Sequence, residues 1–239
     1  MEKTVQIIKN NIGKILLLSI IIVLPVYIFQ EFFLAKYMPV TASMNDKSFM
    51  WYSVVSMLLS ALIMLFRIAV IKISFDELYG KSNTVSELME FSMKAWPKSF
   101  LTTLLWGVFI VFGFMLFIIP GFIFYVLYYL SQHVIVKDEI WGKNALFISQ
   151  LYAKNNVFKI ILLALLTFAI SFLGAFALDV LSRFLGNNWV LYSSASVLCL
   201  MLVQIVSSFI DVYIAVFMSE INIGFDVSKL KRKKSENDE

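Results

Sequence analysis

The sequence predicts an all-α integral membrane protein, a six-helix bundle with two cytoplasmic amphipathic interfacial helices. Three observations predict it. The chain of 239 residues is 60% hydrophobic and 15% charged. A soluble domain is about half apolar and about a quarter charged, so this chain has too little polar surface to cover a globule in water. Apolar runs recur at lengths suited to crossing a bilayer, for which about 20 residues are needed. Lys and Arg are distributed asymmetrically between the segments that join these runs.

The runs are Ile12 to Leu34 with Pro25 inside it, Phe49 to Ile71, Phe100 to Ile119, the short Gly121 to Val136, Val157 to Leu181 and Trp189 to Phe217. Proline is tolerated in a membrane helix because neighbouring helices can satisfy the carbonyl it frees. Lys3, Lys9 and Lys14 resemble the basic start of a signal peptide. The following run is too long and lacks a small-x-small cleavage site, so it reads as a retained first span.

With the N-terminus inside, only Lys36, Lys47 and Arg183 of the twenty basic residues fall on the outer side. That asymmetry is expected to place both termini in the cytoplasm, and the chain reads as multi-pass in a bacterial cytoplasmic membrane. It also demands an even number of spans, which counts the short fourth run among them.

Two cytoplasmic segments carry amphipathic patterns. Thr84 and Glu87 have the spacing of a capping box, which satisfies free N–H groups at a helix start. Val85, Leu88, Met89, Ser92, Met93 and Trp96 then share a face, opposite Glu87, Glu90 and Lys94, and Pro97 marks a junction with the third span. The second segment runs from about Ile140 to Lys154, with Trp141, Ala145, Ile148 and Tyr152 on one face. Both read as helices on the membrane surface or against the bundle.

The segments begin alike. Asp76, Glu77, Leu78, Tyr79, Gly80 and Lys81 match Asp138, Glu139, Ile140, Trp141, Gly142 and Lys143. Each hexamer follows a descending span and precedes an amphipathic helix and a rising span. This reads as a parallel repeat of residues 50–119 and 121–181 within one membrane domain, residues 1–228. Convergent turn chemistry is the other reading. Pro120 and Gly121 are expected to end the third span in a tight outer turn. Trp96, Trp106, Tyr125, Tyr128 and Tyr129 suit interfacial anchoring. Residues 229–239 form a tail, basic from Lys229 to Lys234 and then acidic, whose cations suit anionic headgroups.

Charged groups inside a span are costly and call for a reason. On the second run Ser53, Ser56, Ser60 and Arg67 share a face; on the sixth, Gln204, Ser208 and Asp211 do. Arg67 and Asp211 fall at similar depths and are expected to pair across the bundle. Asp179 and Arg183 have the spacing of a local ion pair, and Ser171 with Ala175 that of a helix-packing face. Cys199 reads as a buried thiol and His133 as an interface residue without a partner. No nucleotide-binding, metal-binding or redox motif is present, so catalysis, cofactors and metals are not expected. Nor is a nucleic-acid partner.

The ordered set from about Phe75 to Leu165 resembles the YciC-like family of bacterial membrane proteins and the membrane domain fused to some glycerophosphodiester phosphodiesterases. The resemblance is carried by the amphipathic lead-in, Ile118, Ile119, Pro120 and Gly121, the run Val134 to Glu139, then Ala145, Leu146, Ser149, Leu151 and Lys154 to Asn156. It implies an all-helical six-span domain without an activity of its own, since the catalytic phosphodiesterase domain has no counterpart here.

Two functions fit. One is a non-enzymatic protein acting through lipids, a membrane partner or its own copies, in membrane homeostasis, export or self-protection. The other is a small transporter or lipid-handling protein using the polar faces of the second and sixth spans. A water-accessible cavity joining Arg67, Gln204 and Asp211 would favour the second, and a sealed bundle without half-helices the first.

Overall fold

The computed structural model describes residues 1–34, 47–185, 188–221 and 223. Among them there is no strand. Six helices are long and apolar enough to cross a membrane. Lys36 and the tail of residues 229–239 lie outside the described residues.

The first span begins earlier than its apolar run suggests. Helix α1 starts at Glu2 and runs to Leu18. It continues as π-helix over Ser19–Val23, α-helix over Leu24–Ile28 and π-helix over Phe29–Leu34. Pro25 follows the first π segment, where the Leu24 N–H reaches back to the Ser19 carbonyl. The wider turn absorbs the hydrogen bond that proline cannot make.

Helix α2 spans Lys47–Leu78, and α3 spans Val85–Leu116. The capping box is formed, with the Glu87 N–H donating to Thr84 Oγ1 at 3.3 Å and the Thr84 N–H to Glu87 Oε2 at 2.7 Å. The amphipathic segment it opens is not a separate element. Pro97 lies inside α3, and the helix passes through it into the third span. Leu88, Ser92, Ala95, Ser99 and Thr102 are buried on both sides of that proline. Their alternating four- and three-residue spacing makes one continuous seam of mostly small side chains, which keeps the helix continuous through its missing N–H. Met93 faces outward instead.

The turn between the third and fourth spans also differs from the expectation. It falls at Phe117, an extended residue, while Pro120 and Gly121 lie in the first turn of α4, Ile118–Tyr128. Proline suits that position because the first N–H groups of a helix have no helical partner. Gly121 serves close approach: a Cβ there would lie 2.5 Å from the Phe114 ring, and one on Gly113 would lie 2.8 Å from the Gly121 Cα.

The fourth span is broken. After α4 the helix is interrupted at Tyr129 and Leu130 and resumes as α5, Ser131–Asp138, within one span-length segment. No glycine or proline marks the break. Residues Ser131 to Val136 of α5 are all buried.

Helix α6, Lys143–Lys154, buries Ala145, Leu146, Ile148, Ser149, Tyr152 and Ala153. Ser149 Oγ donates to the Leu127 carbonyl at 2.8 Å, so α6 lies against the bundle. Helices α7, Val157–Leu185, and α8, Trp189–Glu220, complete the chain. Their close approach is made at Gly174, where a Cβ would lie 2.6 Å from Val203 Cγ2. Ser171 and Ala175, expected to pack, are exposed.

Helix α8 packs against α1, α2, α5 and α7. The C-terminal halves of α2 and α8 are buried on two faces. Ile68, Ile71, Phe75, Ile210 and Ile214 belong to one apolar cluster, with α3 to α7. Phe66, Ala69, Val70, Val212 and Val216 belong to another, with α1. This double burial explains why neither helix shows a one-sided apolar stripe. Elsewhere large apolar side chains point outward, among them Met57, Val111, Phe112, Phe168 and Phe172. A surface of that kind suits lipid rather than water.

The expected interfacial aromatics turn inward. Trp96 Nε1 donates to the Ala61 carbonyl at 2.7 Å, Trp106 stacks on Tyr125, and Tyr129 is buried.

Candidate functional site

The two helices buried on both sides carry the charged groups of the site. Arg67 lies past the midpoint of α2 and Asp211 past that of α8. Arg67 Nε donates to Asp211 Oδ1 and Oδ2 at 3.1 and 3.0 Å, and Nη2 donates to Oδ1 at 2.9 Å. Both carboxylate oxygens therefore face the guanidinium. A planar fork matches a carboxylate in this way, as a lysine would not. The partners are unequally covered. The side chain of Asp211 is 6% exposed and that of Arg67 33%.

A third group joins them. His133 on α5 is wholly buried, and its Nε2 lies 3.2 Å from the Asp211 carbonyl and 3.5 Å from Asp211 Oδ1. A carbonyl only accepts, so Nε2 carries the proton of that bond. His133 is thus not an interface residue: its side chain is buried in the bundle against α8. Its Nδ1 has no hydrogen-bond partner among the described residues.

Beside the pair is a cavity of about 160 Å³, lined by Phe66 and Arg67 of α2, Thr167 and Ser171 of α7, and Gln204, Ser207 and Asp211 of α8. Helices α2 and α7 flank α8 and make no extensive contact with each other, which leaves this space. The structure thus brings Arg67, Gln204 and Asp211 to one cavity. Ser208 does not line it: it is buried, with Oγ donating to the Ile205 carbonyl at 2.6 Å. Its neighbour Ser207 takes that place, as the half-turn choice between i+3 and i+4 allows. Gln204 Nε2 donates to Tyr27 Oη at 2.9 Å, tying the cavity to the first span. Tyr129 Oη lies 2.7 Å from Thr167 Oγ1, which itself donates to the Leu163 carbonyl, so the tyrosine is the donor.

The polar lining continues beyond the cavity. Gln30 Nε2 donates to Ser56 Oγ at 3.1 Å, and Ser196 Oγ to Glu31 Oε2 at 3.0 Å. Ser53 and Ser60 are exposed and stand apart from the cavity. Asp179 and Arg183 form their local pair at 2.8 Å on the surface.

The two matching hexamers lie beyond the site, the first at the C-terminal end of α2 after Arg67 and the second between α5 and α6 after His133. Gly80 and Gly142 share a left-handed backbone, at φ +68° and +67°. The rest differs. The first hexamer stays helical to Leu78, and the Lys81 N–H closes on the Asp76 carbonyl at 2.7 Å. Asp76 accepts from Lys72 at 2.8 Å and from Asn83, and Glu77 accepts from Asn10 at 2.9 Å and Asn11 at 3.1 Å. In the second the helix ends at Asp138, Glu139 takes the left-handed cap, and the Gly142 N–H donates to Thr102 Oγ1 at 2.8 Å. Lys81 and Lys143 are exposed.

Nearby, Lys137 Nζ donates to Tyr152 Oη at 2.7 Å and to the Met218 carbonyl at 3.2 Å. Burial pushes the Tyr152 hydroxyl above the usual tyrosine range, so it remains protonated and serves as a neutral acceptor.

No family model, curated protein or solved structure matches the chain. What the site can do therefore rests on its own chemistry. It is a polar space between apolar helices, with one guanidinium at its wall.

Proposed function

We propose that this chain is a non-enzymatic, multi-pass protein of a bacterial cytoplasmic membrane that takes a small acceptor-rich group into the cavity beside Arg67, as a small transporter or lipid-handling protein. The cavity joining Arg67, Gln204 and Asp211 carries the reading. A sealed bundle would have favoured action through partners or lipids at the surface, in homeostasis, export or self-protection. A polar cavity within spans is where membrane proteins place substrate and ion sites. Its wall offers donors from Arg67, Gln204 and Ser207, which suit oxygen acceptors.

The reading keeps both termini and α6 on the cytoplasmic side, from the Lys and Arg asymmetry, and keeps the likeness to the YciC-like family as part of the proposal.

Cysteine accessibility tests it. In a Cys199→Ala background, Ser207→Cys and Ser171→Cys should react with a small water-soluble thiol reagent at least tenfold faster than Leu202→Cys, which lies on the exposed apolar face. Equal, negligible reaction at all three would show a dry bundle and end the transport reading.

A further inference from the structure

Resting on that cavity reading, the charge balance around Asp211 fixes both the ligand and what must accompany it. Arg67 uses Nε and Nη2 on Asp211, and Nη1 makes no hydrogen bond to any described residue. The Arg67 side chain is a third exposed and lines the cavity, so its unused donors can be offered there. Donors on a cation select an anion with oxygen acceptors.

An anion on Arg67 leaves Asp211 with less than a full counter-charge. That carboxylate is buried, next to Ile210 and Val212 in the apolar wall of α8. An uncompensated charge in such a place is strongly unfavourable. In the resting arrangement the guanidinium and the carboxylate cancel, and His133 holds no proton on Nδ1, for which no acceptor is present. A bound monoanion makes the sum negative by one, and one added proton restores it.

The structure supplies the base. His133 Nε2 lies against Asp211, and its Nδ1 lone pair is open. The other groups around α5 do not compete. From α2 the facing charge is Arg67 itself, and Lys72 is paired with Asp76. From α3 the contact is Thr103, bonded to Gln132, while Glu87, Glu90, Lys94 and Lys98 are exposed. From α6 it is Tyr152, bonded to Lys137 of α5. From α8 it is Asp211. On α4, Tyr129 donates to Thr167 of α7.

We propose that the cavity binds a monoanionic oxyanion, for which phosphodiesters are the probes, and that each binding event is coupled to uptake of one proton by the Asp211–His133 couple. The proton belongs to the couple as a unit, since two groups so close titrate together. Linkage then gives the sign. A proton taken up on binding makes the affinity rise as pH falls, by about tenfold per pH unit while the free couple is unprotonated.

The test uses the full chain in nanodiscs of phosphatidylcholine, with two probes whose single charge does not titrate near neutrality. Dimethyl phosphate represents a free anion and dihexanoyl phosphatidylglycerol a lipid headgroup. Calorimetry in two buffers of different ionisation enthalpy counts the protons. The expected result is one proton taken up per probe bound, and the probe that binds tells whether the source is soluble or lipid. Asp211→Asn keeps an acceptor for Arg67 and removes the negative charge, so Arg67 and the bound anion cancel without a proton and the variant should bind with a flat pH profile. His133→Gln, which keeps a donor for the Asp211 carbonyl, should move the profile to lower pH and serves if Asp211→Asn does not fold. Binding without buffer dependence would overturn the coupling and leave the cavity reading standing. Failure of both probes overturns the anion assignment, and labelling at Ser207→Cys then tells whether the cavity falls with it.

Discussion

Arg67 and Asp211 hold each other in a place where either alone would be a liability. Removing one partner of a buried pair costs about 3–5 kcal/mol, because the other charge is stranded. The stranded group differs between the two deletions. Asp211→Ala leaves Arg67, whose partly exposed side chain can reach the cavity, whereas Arg67→Ala leaves a carboxylate that is almost covered. Arg67→Ala should therefore destabilise more, by about 3 kcal/mol, and Asp211→Ala less. The double change to Met and Leu should recover most of that loss, as apolar replacements of buried pairs often do. Thermal unfolding of the four proteins in detergent measures this. A loss in the double variant equal to the sum of the two single losses would mean that the two residues do not act as a pair. Both residues were legible in the sequence, because charges are rare in apolar runs and their positions matched in depth. His133 was not. A histidine at the end of an apolar run looks the same whether it points to the interface or into the bundle. Only the orientation of α5 decides that.

That orientation belongs to the element scale, where the sequence was read well for some features and poorly for others. The six apolar runs each became a helix because length and composition speak directly to the bilayer. Breaks were harder. Pro97 suggested a boundary, yet the seam of Leu88, Ser92, Ala95, Ser99 and Thr102 runs through it and outweighs one lost N–H. Tyr129 and Leu130 suggested none, yet the fourth span is interrupted there. Pro120 and Gly121 signalled the right hairpin but by the wrong device, since their glycine acts through close approach rather than through the turn. The contact between α3 and α4 supplies a sharp comparison. A methyl on Gly113 would meet the backbone of Gly121 at 2.8 Å, while one on Gly107, on the same helix, would meet nothing within 4 Å. Gly113→Ala should cost about 1–3 kcal/mol of stability as the hairpin is forced apart. Gly107→Ala should be neutral or slightly stabilising, since alanine is the better helix former. Unfolding in a single detergent compares them, and equal effects would show that the two helices can separate freely at Gly113.

At the scale of the whole molecule the helices are too long for the bilayer alone. Helices α2, α3 and α8 each have 32 residues. At about 1.5 Å per residue each extends about 48 Å, well beyond a hydrocarbon core of about 30 Å. The excess must project, and its composition says where. The start of α3, with exposed Glu87, Glu90 and Lys94, and the end of α2, with Asp76 and Glu77, lie together at one end of the bundle with α6. The opposite end carries exposed Phe117, Ile118 and Trp189. Apolar residues ending flush with the core and charged turns extending past it would be expected if the charged end were the cytoplasmic one, held there by the Lys and Arg of the proposed orientation. The prediction is a sided labelling pattern in a Cys199→Ala background. Ser86→Cys and Lys143→Cys should react with a membrane-impermeant thiol reagent only in inverted vesicles, and Asn188→Cys only in intact cells. The reverse pattern would turn the protein over in the membrane. The same pattern on both sides of the membrane would mean that the chain inserts in two orientations. Either outcome would move Asp211 and His133 from the inner to the outer half of the bilayer, in all copies or in some, and with them the side from which the coupled proton enters.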